Sequence, residues 1–236
     1  MQVWDPEHDP FLPAPYSAED LSGKAAAKTA VLARYGLPTD AATLARPLVG
    51  MVSRMVDQKG FDLIAALADA LPRLDASFVV LGEGEDRYQR LWTTLAAAHP
   101  DRIGARIGFD ESLAHLIEGG ADMFLMPSRF EPCGLNQMYS QRYGTVPVVR
   151  AVGGLADTVR DAASATARRA TGVVFEAYTP EALLGAVTRA LDLFGQPRKW
   201  RALQQVGMRQ DYSWHRSAQE YVKIYDRAIK KRRERA

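Results

Sequence analysis

The sequence predicts an α/β protein built on a doubly wound parallel sheet, and three observations carry that expectation. Short unbroken apolar runs recur at 48–52, 77–81, 122–126, 146–149 and 172–175, the pattern of strands buried on both faces. Helix-period stretches separate them, and such alternation calls for right-handed crossovers with helices on both faces of the sheet. Finally, 236 residues at 47% hydrophobic and 25% charged fit one large domain or two small ones and exclude a disordered or fibrous chain.

Taken in order, residues 1–23 are rich in proline and aspartate with scattered aromatics, Trp4, Phe11 and Tyr16, which predicts an extended arm laid against a surface. Ser22-Gly23 opens a helix-period run from Lys24 to Tyr35, stopped by Gly36 and Pro38. This arm and first helix, 1–45, precede the sheet domain proper, 46–212. Within it the predicted helices are Phe61 to Leu74, Asp86 to Ala98, Ser112 to Gly119, Leu135 to Tyr143 and Pro180 to Phe194, with a weaker strand at Ile103 to Ile107. Two further helices, Arg198 to Met208 and Ser213 to Arg233, follow all the strands, the second forming with its basic tail a last segment, 213–236. The abrupt opening on Val3-Trp4-Asp5-Pro6, with no strand before it, is what a cut inside a longer polypeptide leaves.

The net charge is +2, but the end of the chain, Lys230, Lys231, Arg232, Arg233, Glu234 and Arg235, is so basic that the remainder is slightly acidic. Nucleic acid is therefore not an expected partner. The single cysteine, Cys133, forms no internal disulfide, and His8, His99, His115 and His215 lie too far apart to suggest a zinc cluster. No apolar window approaches the roughly 18 residues a membrane span needs, and the start is too polar for a secretory signal. A reducing, cytoplasmic setting is expected, with no membrane contact.

In doubly wound sheets ligands bind beyond the carboxyl ends of the strands, so the loops after each apolar run hold the candidate chemistry. The first, Ser53 to Gly60, places Arg54 and Lys59 beside a helix start, a set suited to a diphosphate, or simply two solvated cations. The second, Gly82-Glu83-Gly84-Glu85, lacks the third glycine and downstream acid of a dinucleotide fingerprint. After Ile107, Phe109 could offer a flat face to a base, although an aromatic at that place is more often core. The fourth, Met126 to Gln137, sets Glu131, Cys133 and Gly134 at the mouth of a helix. There the N–H groups of Gly134, Leu135 and Asn136 could hold a phosphate while Glu131 accepts from hydroxyls. Its ordinary alternative is a helix-end acid beside an inert buried thiol. The fifth brings Gly153 and Gly154 to the sheet edge, for a ligand or for a tight turn.

Four blocks in this order and spacing are informative together: Ser53-Arg-Met-Val-Asp-Gln-Lys-Gly60, Met126-Pro-Ser-Arg-Phe-Glu-Pro-Cys-Gly-Leu-Asn-Gln137, Arg142-Tyr-Gly-Thr-Val-Pro147 and Gly153-Gly-Leu-Ala-Asp-Thr158. From about Trp4 to Tyr225 the chain resembles the carboxyl-terminal half of bacterial glycogen synthases and plant starch synthases. The resemblance implies one Rossmann-like half of a GT-B glycosyltransferase, the half that holds the nucleotide sugar. It implies a retaining transfer of glucose from ADP-glucose to α-1,4-glucan, with the glucan acceptor engaged through an amino-terminal domain and no transfer by this half alone.

On the same resemblance, Arg54 and Lys59 bind the donor diphosphate, and Glu131 contacts the transferred glucose and matters for sugar rather than nucleotide. Phe109, where many members carry Tyr, stacks on adenine, and the amides of Leu135 and Asn136 take the distal phosphate. Cys133 lines the sugar pocket. Gly134, Gly153 and Gly154 complete the substrate-binding set. Related retaining transferases carry a second glutamate eight residues after the first; here Tyr139 stands there, as it usually does in the synthases, leaving the ribose without an assigned partner. No Asp-x-Asp pair occurs, so no metal or other cofactor is expected. A UDP-glucose-dependent relative, or a nucleotide- or sugar-binding module without chemistry of its own, are the alternatives. The compartment is the cytoplasm, or the plastid stroma for a plant protein.

Overall fold

Every apolar run becomes a strand: β1 (Leu48–Val52), β2 (Ser77–Gly82), β3 (Ile103–Ile107), β4 (Met123–Met126), β5 (Val146–Arg150) and β6 (Val173–Phe175). The computed structural model describes residues 3–163 and 169–234; of the basic tail, Arg235 lies outside them. Among the described residues the strands form one sheet in the order β3-β2-β1-β4-β5-β6, with every pairing parallel. The order reverses between β1 and β4, and a crevice opens at such a reversal beyond the strands' carboxyl ends.

Helices cover both faces because the strands are apolar on both. On one side α1 (Ser22–Arg34) and α5 (Glu111–Gly120) bury Val31, Leu32, Leu113 and Ile117 against Val79, Leu81 and Phe124. On the other, α3 (Phe61–Ala66), α4 (Asp86–Ala98), α8 (Pro180–Phe194) and α9 (Pro197–Met208) bury Phe61, Ile64, Trp92, Val187 and Trp200 against Val49, Val80 and Val148. The helix grouped with the arm on sequence, α1, thus forms part of the layer over the sheet.

Several elements depart from expectation. The helix predicted from Phe61 to Leu74 stops at Ala66, and the chain tightens through Leu67 N to Ile64 O and Ala68 N to Ala65 O into a 3-10 turn at Leu71–Arg73. Pro72 supplies no N–H, and its ring opposes a continued α-helix. Two short helices were not foreseen: α2 (Ala41–Ala45), capped by Asp40 accepting from the amides of Ala42 and Thr43, and α7 (Gly153–Thr158), where a bare loop was expected. Between them lies α6 (Asn136–Arg142). The last helix, α10 (Trp214–Arg233), has no buried residue, leaving Tyr221, Ile224 and Tyr225 exposed.

The amino-terminal arm is not extended. It folds back on itself through Tyr16 N to Pro6 O, with Asp5 and Asp9 accepting from the amides of Glu7 and Phe11, the turn habit of aspartate. Trp4 stacks on His115 at 3.6 Å and on Tyr139 at 4.3 Å. Tyr16 donates to the carbonyls of Gly119 and Tyr143. Asp9, 0% exposed at its side chain, meets His115 Nδ1 at 2.7 Å and accepts from the Tyr143 hydroxyl at 2.5 Å. The arm is therefore held by polar bonds made inside the protein.

Candidate active site

A cleft of about 370 Å³ opens at the reversal of strand order, lined among others by Arg54, Lys59, Ser128, Glu131, Leu135 and Asn136. Its two walls are the loops after β1 and β4, and local chemistry brings them together. Beyond β1, residues Asp57–Lys59 form a 3-10 turn that ends at Gly60 in the left-handed region, φ 80°, where glycine carries no steric cost. A Cβ on Gly60 would lie 2.2 Å from the Pro127 carbonyl oxygen, so only glycine lets the first loop approach the fourth this closely. Gln58 stitches them: its carbonyl accepts from Arg129 N at 2.9 Å, and its Nε2 donates to the Phe130 carbonyl at 3.3 Å.

Across this seam Lys59 Nζ meets Glu131 Oε2 at 2.5 Å, the two side chains 22% and 8% exposed. Ser128 Oγ, itself buried, donates to the same oxygen at 3.2 Å. Arg54 is exposed and, among the described residues, its side chain makes only a long contact, 3.4 Å, with Gln58 Oε1. Asn136 Nδ2 donates to the Val52 carbonyl at 3.0 Å, tying the start of α6 to the end of β1. The amides at that start precede the first intrahelical bond, Met138 N to Leu135 O, and so have no helical partners, on residues that line the cleft. The result is a concave site with two cations, one carboxylate and free backbone donors, able to hold an anionic group beside a polyhydroxyl one.

The cleft gathers Arg54, Lys59, Glu131, Gly134, Leu135 and Asn136. Phe109 stands outside its lining and is 87% exposed, which overturns the core reading and leaves its ring face open to solvent after β3. Cys133 is exposed rather than buried, and it lines a separate hollow of about 800 Å³ with Trp4, Tyr139 and Trp214. Tyr139 points to that hollow because its ring is stacked on Trp4. Gly153 and Gly154 also lie outside the cleft lining. The Gly154 amide donates to the Glu131 carbonyl at 3.1 Å, and a Cβ on Gly154 would sit 1.9 Å from the Cys133 oxygen. These glycines let α7 press against the backbone of the loop that carries Glu131.

Sequence reasoning assigned no role to Ser128, Gln58 or Gln137. Gln137, 0% exposed, donates from Nε2 to the carbonyls of Cys133 and Gly134 and to Thr158 Oγ1, bracing the loop from within. Ser128 alone had a signal: it lies three residues before Glu131, within reach of a side chain in a tight loop. Outside the cleft, Asp57 accepts a short bond from the Tyr88 hydroxyl, which with Arg87 holds its carboxyl below the usual range. Burial and the same bond push the Tyr88 phenol up, so it remains a donor fixing the first loop.

The family model for glycosyl transferases group 1 matches residues 41–203. The chain is 56% identical over 225 residues to a glycogen synthase of Anaeromyxobacter dehalogenans (strain 2CP-1), covering 95% of this chain and 46% of that protein. It is 54% identical over 229 residues to glycogen synthase 1 of Methylococcus capsulatus, covering 96% and 46%. Among solved structures, the catalytic domain of starch synthase IV from Arabidopsis thaliana, bound to ADP and acarbose, superposes with a TM-score of 0.85 at 35% identity over 96% of this chain and 47% of that one. The chain spans about half the length of the relatives it matches. Among the described residues no helix is long and apolar enough to cross a membrane.

Proposed function

The chain belongs to the glycosyl transferases group 1 family, with the Rossmann-like sheet of one half of a GT-B enzyme. From that premise we propose that it is the donor-holding half of a retaining glucosyltransferase that extends α-1,4-glucan from ADP-glucose. The observation that carries this is the joining of Lys59, Arg54 and the α6 amides to Glu131 in one cleft. A diphosphate needs the first set and a hexose needs the carboxylate.

Arg54 and Lys59 bind the diphosphate and, as the glycosidic bond to it breaks, stabilise the negative charge gathering on the leaving ADP. The amides of Leu135 and Asn136 take the distal phosphate. Glu131 accepts hydrogen bonds from glucose hydroxyls and orients the reacting carbon. Phe109 stacks on adenine, its exposure being the support for that role. The reading invokes no metal or cofactor. The glucan acceptor falls to the further length that the relatives possess, so this chain alone transfers no glucose: holding an acceptor at about 3 to 3.5 Å can account for roughly 7 to 11 kcal/mol of barrier. A reducing, cytoplasmic setting belongs to the same reading and suits the exposed thiol of Cys133.

Calorimetry on the 236-residue chain tests it. ADP should bind at least about tenfold tighter than AMP, since each charge-assisted bond contributes roughly 1.5 to 3 kcal/mol, and UDP should bind less well than ADP. Equal affinity for AMP and ADP overturns the diphosphate assignment.

A further inference from the structure

We propose that Lys59 serves two partners in turn: it is paired with Glu131, and a bound diphosphate draws it away, uncovering Glu131 for sugar hydroxyls. This rests on the reading of the cleft as a nucleotide-sugar site and adds an order of events to it.

Three observations carry the exchange. First, Lys59 Nζ and Ser128 Oγ both engage one oxygen of Glu131, at 2.5 and 3.2 Å, while among the described residues Oε1 receives no donor. Glu131 therefore keeps an anchor if the lysine leaves. Second, the backbone on both sides of the pair is pinned. Gly60 lies against the Pro127 carbonyl, Gln58 bonds both Arg129 and Phe130, and Gly154 N holds the Glu131 carbonyl. Only the four-carbon lysine stem has to swing, and its ammonium is a point charge that needs no fixed fork geometry. Third, the side chain of Arg54, the other cation of the lining, makes among the described residues only a 3.4 Å contact with Gln58. Arg54 is poised to receive phosphate at once, whereas Lys59 must give up a carboxylate first.

The exchange makes the nucleotide a precondition for the sugar contact. It also reverses the sequence-based expectation that Glu131 is irrelevant to nucleotide affinity, since breaking the pair is a cost that ADP has to meet. Removing the carboxylate should tighten ADP binding, and only while Lys59 is present to benefit.

The test is a double-mutant cycle read by calorimetry with ADP on the 236-residue chain: wild type, Glu131→Gln, Lys59→Met and the double variant, with Glu131→Ala as a second carboxylate-free form. Glu131→Gln should bind ADP about tenfold tighter than wild type, equivalent to about 1.4 kcal/mol. The same change made in the Lys59→Met background should give less than about a twofold gain. A wild-type chain that binds AMP as well as ADP defeats the underlying site reading. ADP preferred over AMP, with Glu131→Gln and Glu131→Ala no tighter than wild type, defeats the exchange alone. A gain of equal size without Lys59 assigns the effect to plain repulsion between carboxylate and phosphate, and overturns the exchange as well.

Discussion

Two clusters of ionisable side chains lie on this sheet, and they differ in how completely the fold satisfies them. At the cleft, among the described residues, Arg54 is exposed with one long side-chain contact and Lys59 has a single partner that it shares with Ser128. Beneath the amino-terminal arm, Lys24 Nζ donates to the carbonyls of Gly119 and Tyr143 and to Thr145 Oγ1. Nearby, Asp9 joins His115 to Tyr143. Two groups of this second cluster are strongly perturbed. Burial pushes the Glu118 carboxyl up to about 8 and the Lys24 ammonium down to about 7. Perturbed ionisation is a common pointer to function, yet here it marks a buried joint between α1, α5 and α6 that lies beneath the arm. The groups read as functional are those left open to a ligand.

The largest effect expected from this contrast is structural. Asp9→Ala strips His115 and the Tyr143 hydroxyl of their buried partner, and leaving a buried polar group unsatisfied costs about 1 to 3 kcal/mol each. Urea unfolding should show the loss, and a midpoint within error of wild type would mean that the arm contributes nothing to stability. Next comes the cleft. Arg54→Ala should weaken ADP by about one to two powers of ten while leaving the unfolding midpoint in place, because the guanidinium is exposed. A variant that loses stability instead would put Arg54 in the structural class.

A smaller, pH-dependent effect separates the clusters further. Between the usual carboxyl value of 4.5 and the folded value of about 8, the folded state holds a proton on Glu118 that the unfolded chain has released. Its contribution is therefore full below 4.5 and is lost as pH rises through about 8. Lys24, whose folded value is about 7, is protonated in both states below that and adds no slope there. From about pH 5 to about pH 7 the wild type should lose stability relative to Glu118→Gln by on the order of 1 kcal/mol per pH unit. Parallel profiles would show that Glu118 ionises as freely as a surface carboxylate. The smallest effect is at Phe109: Phe109→Ala should change stability by less than about 0.5 kcal/mol, since the ring is 87% exposed, while measurably weakening ADP. A larger stability loss would return Phe109 to the core.

Much of this was legible before any coordinates. Strands β1 to β6 fall on the apolar runs because a strand buried on both faces has no polar register to hide it. Loops 53–60 and 126–137 follow β1 and β4 and line one cleft, since the parallel topology fixes where backbone and helix starts face solvent. Local chemistry also explains the turn at Gly60. The early end of α3 was less visible, because the periodicity of 61–74 persists through a 3-10 turn that α-helical patterning does not resolve.

What only tertiary structure decided are the meetings between distant residues. Lys59 and Glu131 are 72 positions apart, and their pairing depends on Gly60 fitting under Pro127. Asp9 and His115 are 106 apart, and nothing in a polar, proline-rich arm signals that its carboxylate will be buried. Gly153 and Gly154 serve the loop that carries Glu131, and Tyr139 turns to Trp4; both outcomes depend on which surfaces the fold brings into contact. Periodicity records how each segment faces its own sheet, because that is a local property of side-chain spacing. The partner of a charge is set by packing, where a buried group must find whatever donor or acceptor the rest of the chain delivers.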